Sequence, residues 1–135
     1  MVKIVVSCAQ TNSCSDTNKN INHITPLLNT ALDRKSDIVC LPECAGILTN
    51  SEKKIKDFAS NGNNNFLDFI KSYAKKNKIF IIIGSIPTKC KGKKFYNTSL
   101  IINKNGNVIC RYNKINLFDV DLKNGEKHKE SKLYR

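Results

Sequence analysis

The stretch Lys78-Ile79-Phe80-Ile81-Ile82-Ile83-Gly84 decides how the rest of the chain is read. Its apolar run is too short for a buried helix, is dominated by β-branched isoleucine and stops at a glycine, so it predicts a strand. Because the run is apolar throughout, without alternation, the strand is expected to be covered on both faces. Just upstream, Phe66, Phe69, Ile70, Tyr73 and Ala74 recur at the spacing of an amphipathic helix. Ser36-Asp37-Ile38-Val39-Cys40-Leu41-Pro42 reads as another buried strand, stopped by proline. Before it, Ile21, Ile24, Leu28, Ala31 and Leu32 give a helix in which Pro26 either makes a kink or takes the first helical position behind Thr25. Residues 2–9 are short, apolar and β-branched, and predict a further buried strand. Downstream, Asn97–Ile102 and Val108–Tyr112 flank Lys104-Asn105-Gly106-Asn107, a β-hairpin with an Asn-Gly turn. Residues 50–60 suggest a short helical or irregular excursion and residues 61–65 a loop. From Asp119 onward the chain is polar and basic with little periodicity. Strand, helix, strand, helix, strand and an appended hairpin argue for an α/β layered sheet.

A chain of 135 residues fits one domain, and its 40% apolar and 25% charged composition excludes wholesale disorder. No stretch approaches the roughly 18 apolar residues of a membrane span, and the apolar start is too short for a secretory signal. A cytoplasmic protein with no membrane association is expected. The six cysteines (Cys8, Cys14, Cys40, Cys44, Cys90 and Cys110) are therefore read as reduced thiols. No CxxC pair occurs, and the Cys40–Cys44 spacing suits a metal poorly, so no metal site is expected.

The net charge of +12 invites a nucleic-acid reading, but 20 of the 23 basic residues are scattered lysines. A nucleic-acid module concentrates its cations on one face and adds arginine and stacking aromatics. A basic nucleic-acid-binding module is therefore the rival function, and no specific nucleic-acid partner is expected. Abundant Lys, Asn and Ile, whose codons are A/T-rich, explain the charge as compositional drift.

Glu43 follows Leu41-Pro42 at the end of a predicted strand. Ligand sites in open α/β sheets lie outside the carboxyl ends of strands, where a partly desolvated carboxylate can serve as a general base. Lys114 follows the second hairpin strand among Ile115, Leu117 and Phe118, placed to aim an ammonium at developing negative charge. Taken singly, Glu43 is a loop carboxylate and Lys114 one lysine of many.

Taken in order, Leu41-Pro42-Glu43, Gly84-Ser85-Ile86-Pro87, the stretch Tyr96 to Ile102, Gly106, and Tyr112-Asn113-Lys114-Ile115-Asn116-Leu117-Phe118-Asp119 resemble the nitrilase superfamily of carbon–nitrogen hydrolases, nearest its Nit-type ω-amidase-like members. The resemblance implies an α-β-β-α sandwich, of which residues 1–135 are the N-terminal half, a partial domain. It implies a Glu-Lys-Cys constellation with Glu43 as general base, Lys114 as stabiliser of the tetrahedral intermediate and Glu130 as a second, positioning glutamate. The implied chemistry is cysteine attack on a small amide or nitrile through a thioester, with no metal or organic cofactor. The family's nucleophile lies downstream of the lysine, and no cysteine follows Cys110 here. None of the six thiols is expected to replace it: Cys8, Cys40 and Cys110 are read as strand residues, Cys14 and Cys90 as loop residues without a base, and Cys44 as pointing away from its neighbour Glu43. Asn116 stands where the family usually has histidine, which is expected to loosen Lys114. His23 and His128 are read as surface residues. The expectation is a chain inactive alone, completed by a C-terminal chain carrying the cysteine or associated as a homo-oligomer, because a half-sandwich leaves apolar sheet surface uncovered.

Overall fold

The computed structural model describes residues 3–60, 64–123 and 125–135. Five strands form one sheet in the order β1 (Val6–Cys8), β2 (Ile38–Leu41), β3 (Phe80–Lys89), β4 (Phe95–Ile102), β5 (Val108–Asn113). The pairs β1–β2 and β2–β3 are parallel, while β3–β4 and β4–β5 are antiparallel. Parallel neighbours need crossovers, and helices supply them. They are α1 (Thr17–Asp33) between β1 and β2, then α2 (Glu52–Ser60) and α3 (Asn65–Asn77) between β2 and β3.

Asp16 caps α1, its carboxylate accepting from the Asn18 and Lys19 N–H groups. The helix thus begins before Ile21, and Pro26 lies inside it rather than at its start. Asn64 caps α3 by accepting from the Leu67 N–H. Of the 61–65 loop, residues 61–63 lie outside the described residues. The apolar stripes of α1 (Ile24, Leu28, Ala31) and α3 (Phe66, Ile70, Ala74) bury themselves on one sheet face. Alternate strand residues meet them there: Val39, Leu41, Ile81, Ile83, Leu100 and Ile102, all at most 4% exposed. The turn from β4 to β5 closes tightly on α3. Gly106 has φ 78°, and a Cβ on it would stand 2.6 Å from the Lys71 carbonyl oxygen.

The opposite face is bare. Registers Val6↔Ile38↔Phe80 and Cys8↔Cys40↔Ile82↔Ile101↔Cys110 run across the sheet, and these side chains are half-buried or exposed. Two expectations are corrected here. β3 is covered on one face only, although its sequence is apolar on both. β1 is a short, exposed edge strand rather than a buried one (residues 1 and 2 lie outside the described residues). No described element packs on this face, so neither strand receives its second layer. Cys8 is correspondingly exposed and Cys40 half-buried, whereas Cys90, read as a loop residue, is buried just after β3.

The polar end of the chain is also ordered. A two-stranded sheet pairs β6 (Asp119–Asp121) with β7 (Lys127–Lys129), and a short 3-10 turn follows over Glu130–Lys132. The Phe95 N–H donates to the Leu133 carbonyl and the Arg135 N–H to the Phe95 carbonyl, which tie this segment to β4.

Candidate active site

β2 ends at Leu41, just before Pro42, and the chain turns sharply through Glu43 and Cys44, whose φ is 54°. A register shift in β3 between Ile83 and Ile86 fits against this turn. The Cys44 N–H donates to Ser85 Oγ (2.9 Å), the Ala45 N–H to the Ser85 carbonyl (3.1 Å) and the Ser85 N–H to the Pro42 carbonyl (3.3 Å). Gly84 is the close approach: a Cβ there would lie 2.5 Å from the Leu41 oxygen. Asn20, 3% exposed, steadies the loop beyond by donating to the Gly46 and Cys14 carbonyls.

Three expected residues converge here. Lys114 Nζ donates to Glu43 Oε1 and to Glu130 Oε2, each at 2.9 Å, across 71 and 16 residues of sequence. The Glu43 side chain is 55% exposed, Lys114 29% and Glu130 14%. Lys114 is placed by its own N–H, which donates to the Asn97 carbonyl (2.8 Å). Its ammonium has three N–H groups, and two are spent on carboxylates. Asn116 is exposed and takes no part in holding the ammonium.

Sequence reasoning missed Asn97. It is 3% exposed, and its Nδ2 donates to Glu43 Oε1 (2.7 Å) and Glu130 Oε1 (2.9 Å). The available signal was an amide side chain inside a predicted strand, which a buried position must satisfy with partners. The Phe118 N–H, which donates to Glu130 Oε2 (2.6 Å), was equally unreadable.

The electrostatics separate the two acids. Burial favours a neutral Glu130, but the Phe118 N–H, Lys114 and Asn97 outweigh it and hold its carboxyl below the usual range. Burial likewise opposes the charge on Lys114, yet the hydrogen bonds to Glu130 and Glu43 win and raise its pKa. Burial and then the Glu43 carboxylate push the Cys44 thiol up, keeping it protonated. Tyr134 is pushed well up by burial and by neighbouring Cys44, Glu130 and Glu43.

A cleft of about 310 Å³ opens over this cluster, walled by Ile47, Leu48, Phe118 and Leu133 and lined also by Cys44, His128 and Tyr134. His128, read as a surface residue, thus borders the cleft. A second hollow of about 190 Å³ reaches Glu43, Asn97 and Lys114 past Ser99 and Tyr112, a cross-strand pair. Among the described residues, no group of three or more His, Cys, Asp or Glu could hold a metal ion, and no helix is long and apolar enough to cross a membrane.

Residues 5–135 match the family model described as carbon–nitrogen hydrolase. The chain is 32% identical over 141 residues to a deaminated glutathione amidase of Dictyostelium discoideum, covering 96% of this chain and 47% of that protein. It is also 32% identical over 136 residues to an omega-amidase of Saccharomyces cerevisiae, with the same coverage. The chain thus spans about half the length of these relatives. Among solved structures, the NitFhit protein of C. elegans superposes with a TM-score of 0.85 at 25% identity, over 96% of this chain and 32% of that one.

Proposed function

The chain belongs to the carbon–nitrogen hydrolase family, and on that premise we propose that residues 1–135 are the N-terminal half of an amidase domain whose nucleophilic cysteine lies outside them. The observation that carries this reading is the pairing of Lys114 with Glu43 and Glu130 at 2.9 Å, beside an apolar sheet face that nothing described covers. In this reading Glu43, with one oxygen unbonded among the described residues, takes the proton of the incoming thiol. The thiolate attacks the amide carbon, and the third N–H of Lys114 meets the oxyanion. Glu43 returns the proton to the leaving nitrogen, ammonia or an amine departs, and water cleaves the thioester. Glu130, with donors on both oxygens, keeps Lys114 charged and in place.

No thiol among the six suits the nucleophile's part. Cys44 lines the cleft, but burial and a neighbouring carboxylate disfavour its thiolate. Cys8, Cys40 and Cys110 lie on the bare face, where the missing layer would seat, delivered either by continuation of this chain or by a second chain. The names of the relatives support small ω-amides, such as dicarboxylic monoamides, as substrates.

The test is ammonia release from such amides. The 135-residue chain alone is expected to be inactive. Joined or co-expressed with the segment that its own downstream coding sequence supplies, it is expected to turn over, with Lys114→Ala and Glu43→Gln each lowering kcat by at least about 10³-fold. Turnover that survives both substitutions removes the assignment.

A further inference from the structure

Glu43 and Glu130 both face Lys114, yet they use their oxygens differently. Glu130 spends both: Oε1 accepts from Asn97, and Oε2 accepts from Lys114 and the Phe118 N–H. Glu43 spends only Oε1, on Asn97 and Lys114, and its Oε2 has no partner among the described residues. The Asn97 amide has two N–H groups and no acceptor on its nitrogen, so each carboxylate oxygen it addresses must offer a lone pair.

We propose that Asn97 is a positioning residue that makes Glu43 a one-sided base: with Lys114 it occupies Oε1 and leaves Oε2 as the oxygen that takes a proton. The proposal rests on the reading of Glu43 as the base. In that step an S–H bond breaks, an Oε2–H bond forms and the electron pair stays on sulfur. The same proton later passes from Oε2 to the leaving nitrogen as the C–N bond breaks. Asn97 is suited to the task because one buried residue of β4 touches all three groups. Its side chain bridges the two carboxylates, and its carbonyl holds the backbone N–H of Lys114. Without the amide donor, Glu43 keeps only Lys114, a single flexible ammonium, and either of its oxygens can turn outward.

The other titratable groups around the pair are Lys114, Cys44 and Tyr134, with His128 and Lys129 also lining the cleft. All are retained in the variants below, so any change reports the Asn97 amide. The test has two arms on the full chain. Neutron diffraction from deuterated crystals at a pH where Glu43 is protonated is expected to place the deuteron on Oε2, with Oε1 still accepting from Asn97. A deuteron on Oε1 overturns the proposal. In solution, carboxyl ¹³C titration of Asn97→Leu is expected to raise the Glu130 midpoint by about half to one pH unit. Asn97→Ser keeps a single donor, gives a smaller rise and serves if the leucine variant does not fold. Thr98→Val, on β4 beside Asn97, removes hydrogen bonds to Thr88 of β3 and Asn113 of β5; it is the control and leaves the midpoint unchanged. A midpoint unmoved in the Asn97 variants, or moved equally by Thr98→Val, removes Asn97 as the donor that joins the two carboxylates and so overturns the proposal. The diffraction arm reads proton position and the titration arm the donor, neither of them turnover, so a failure of the amidase reading appears separately, in the ammonia assay.

Discussion

On the helix side of the sheet, Phe66, Ile70, Ile81, Ile83, Leu100 and Ile102 are completely buried and make a continuous apolar core. From residue 114 to 135, no described residue is buried. That segment keeps its place through polar bonds: Glu130 to Lys114, Asn97 and the Phe118 N–H, Asp119 to Ser131, and the backbone ties to Phe95. The first region is stabilised by area removed from water, a term that scales with size and ignores direction. The second depends on a few directional, charge-assisted bonds, individually modest but specific in geometry. The candidate chemistry sits where the two meet, with Asn97 on the sheet, Glu43 in the turn that leaves β2, and Lys114 and Glu130 on the polar extension.

Breaking the core is expected to give the largest effect. Phe66→Ala removes a fully buried ring and is expected to cost about 3–5 kcal/mol in urea unfolding. Gly84→Ala tests the junction. Its Cβ meets backbone of Leu41 and Pro42, so it is expected to cost about 1–3 kcal/mol and to separate Glu43 from Lys114. Loss of the Lys114–Glu43 contact in the variant's structure checks the second half of that statement.

Glu130→Gln sharpens the contrast. It is expected to cost about 1 kcal/mol globally, while hydrogen exchange at the Phe118 amide accelerates and that at β3 amides does not. Acid and base do the same reversibly. Glu130 is held below the ordinary carboxylate range, so its contribution is complete above about pH 4.3 and is lost as pH falls through the lower folded value. Lys114 is raised, so its contribution is complete below about pH 10.4 and is lost as pH rises through the higher folded value. Amide spectra at both extremes are expected to change over residues 114–135 before they change in β3. The smallest effect is Ile115→Ser, at a side chain 75% exposed, expected to stay within about 0.5 kcal/mol.

The core region was legible because its residues repeat. The α3 stripe and the β3 run named their elements directly, and the Asn-Gly signal marked the hairpin. Coverage was not legible: the apolar run of β3 reads the same whether a second layer is present or not, and here one face is bare. Glu43, Lys114 and Glu130 were singled out by motif order rather than by periodicity. Asn97 was passed over although it lies inside a quoted motif, because its partners are 54 and 33 residues away. The β6–β7 pair and the turn carrying Glu130 left no periodic trace, since they bury no apolar stripe.

The sequence by itself determined the α/β order, the identity of the helix-facing residues and the family, because hydrophobic spacing and motif order are properties of neighbours along the chain. Only the tertiary structure decided which acid has both oxygens filled, which donor joins the two, and which sheet face stays open. Those depend on directional contacts between residues far apart in the chain, and a hydrogen bond exists only once the backbone has brought donor and acceptor within about 3 Å.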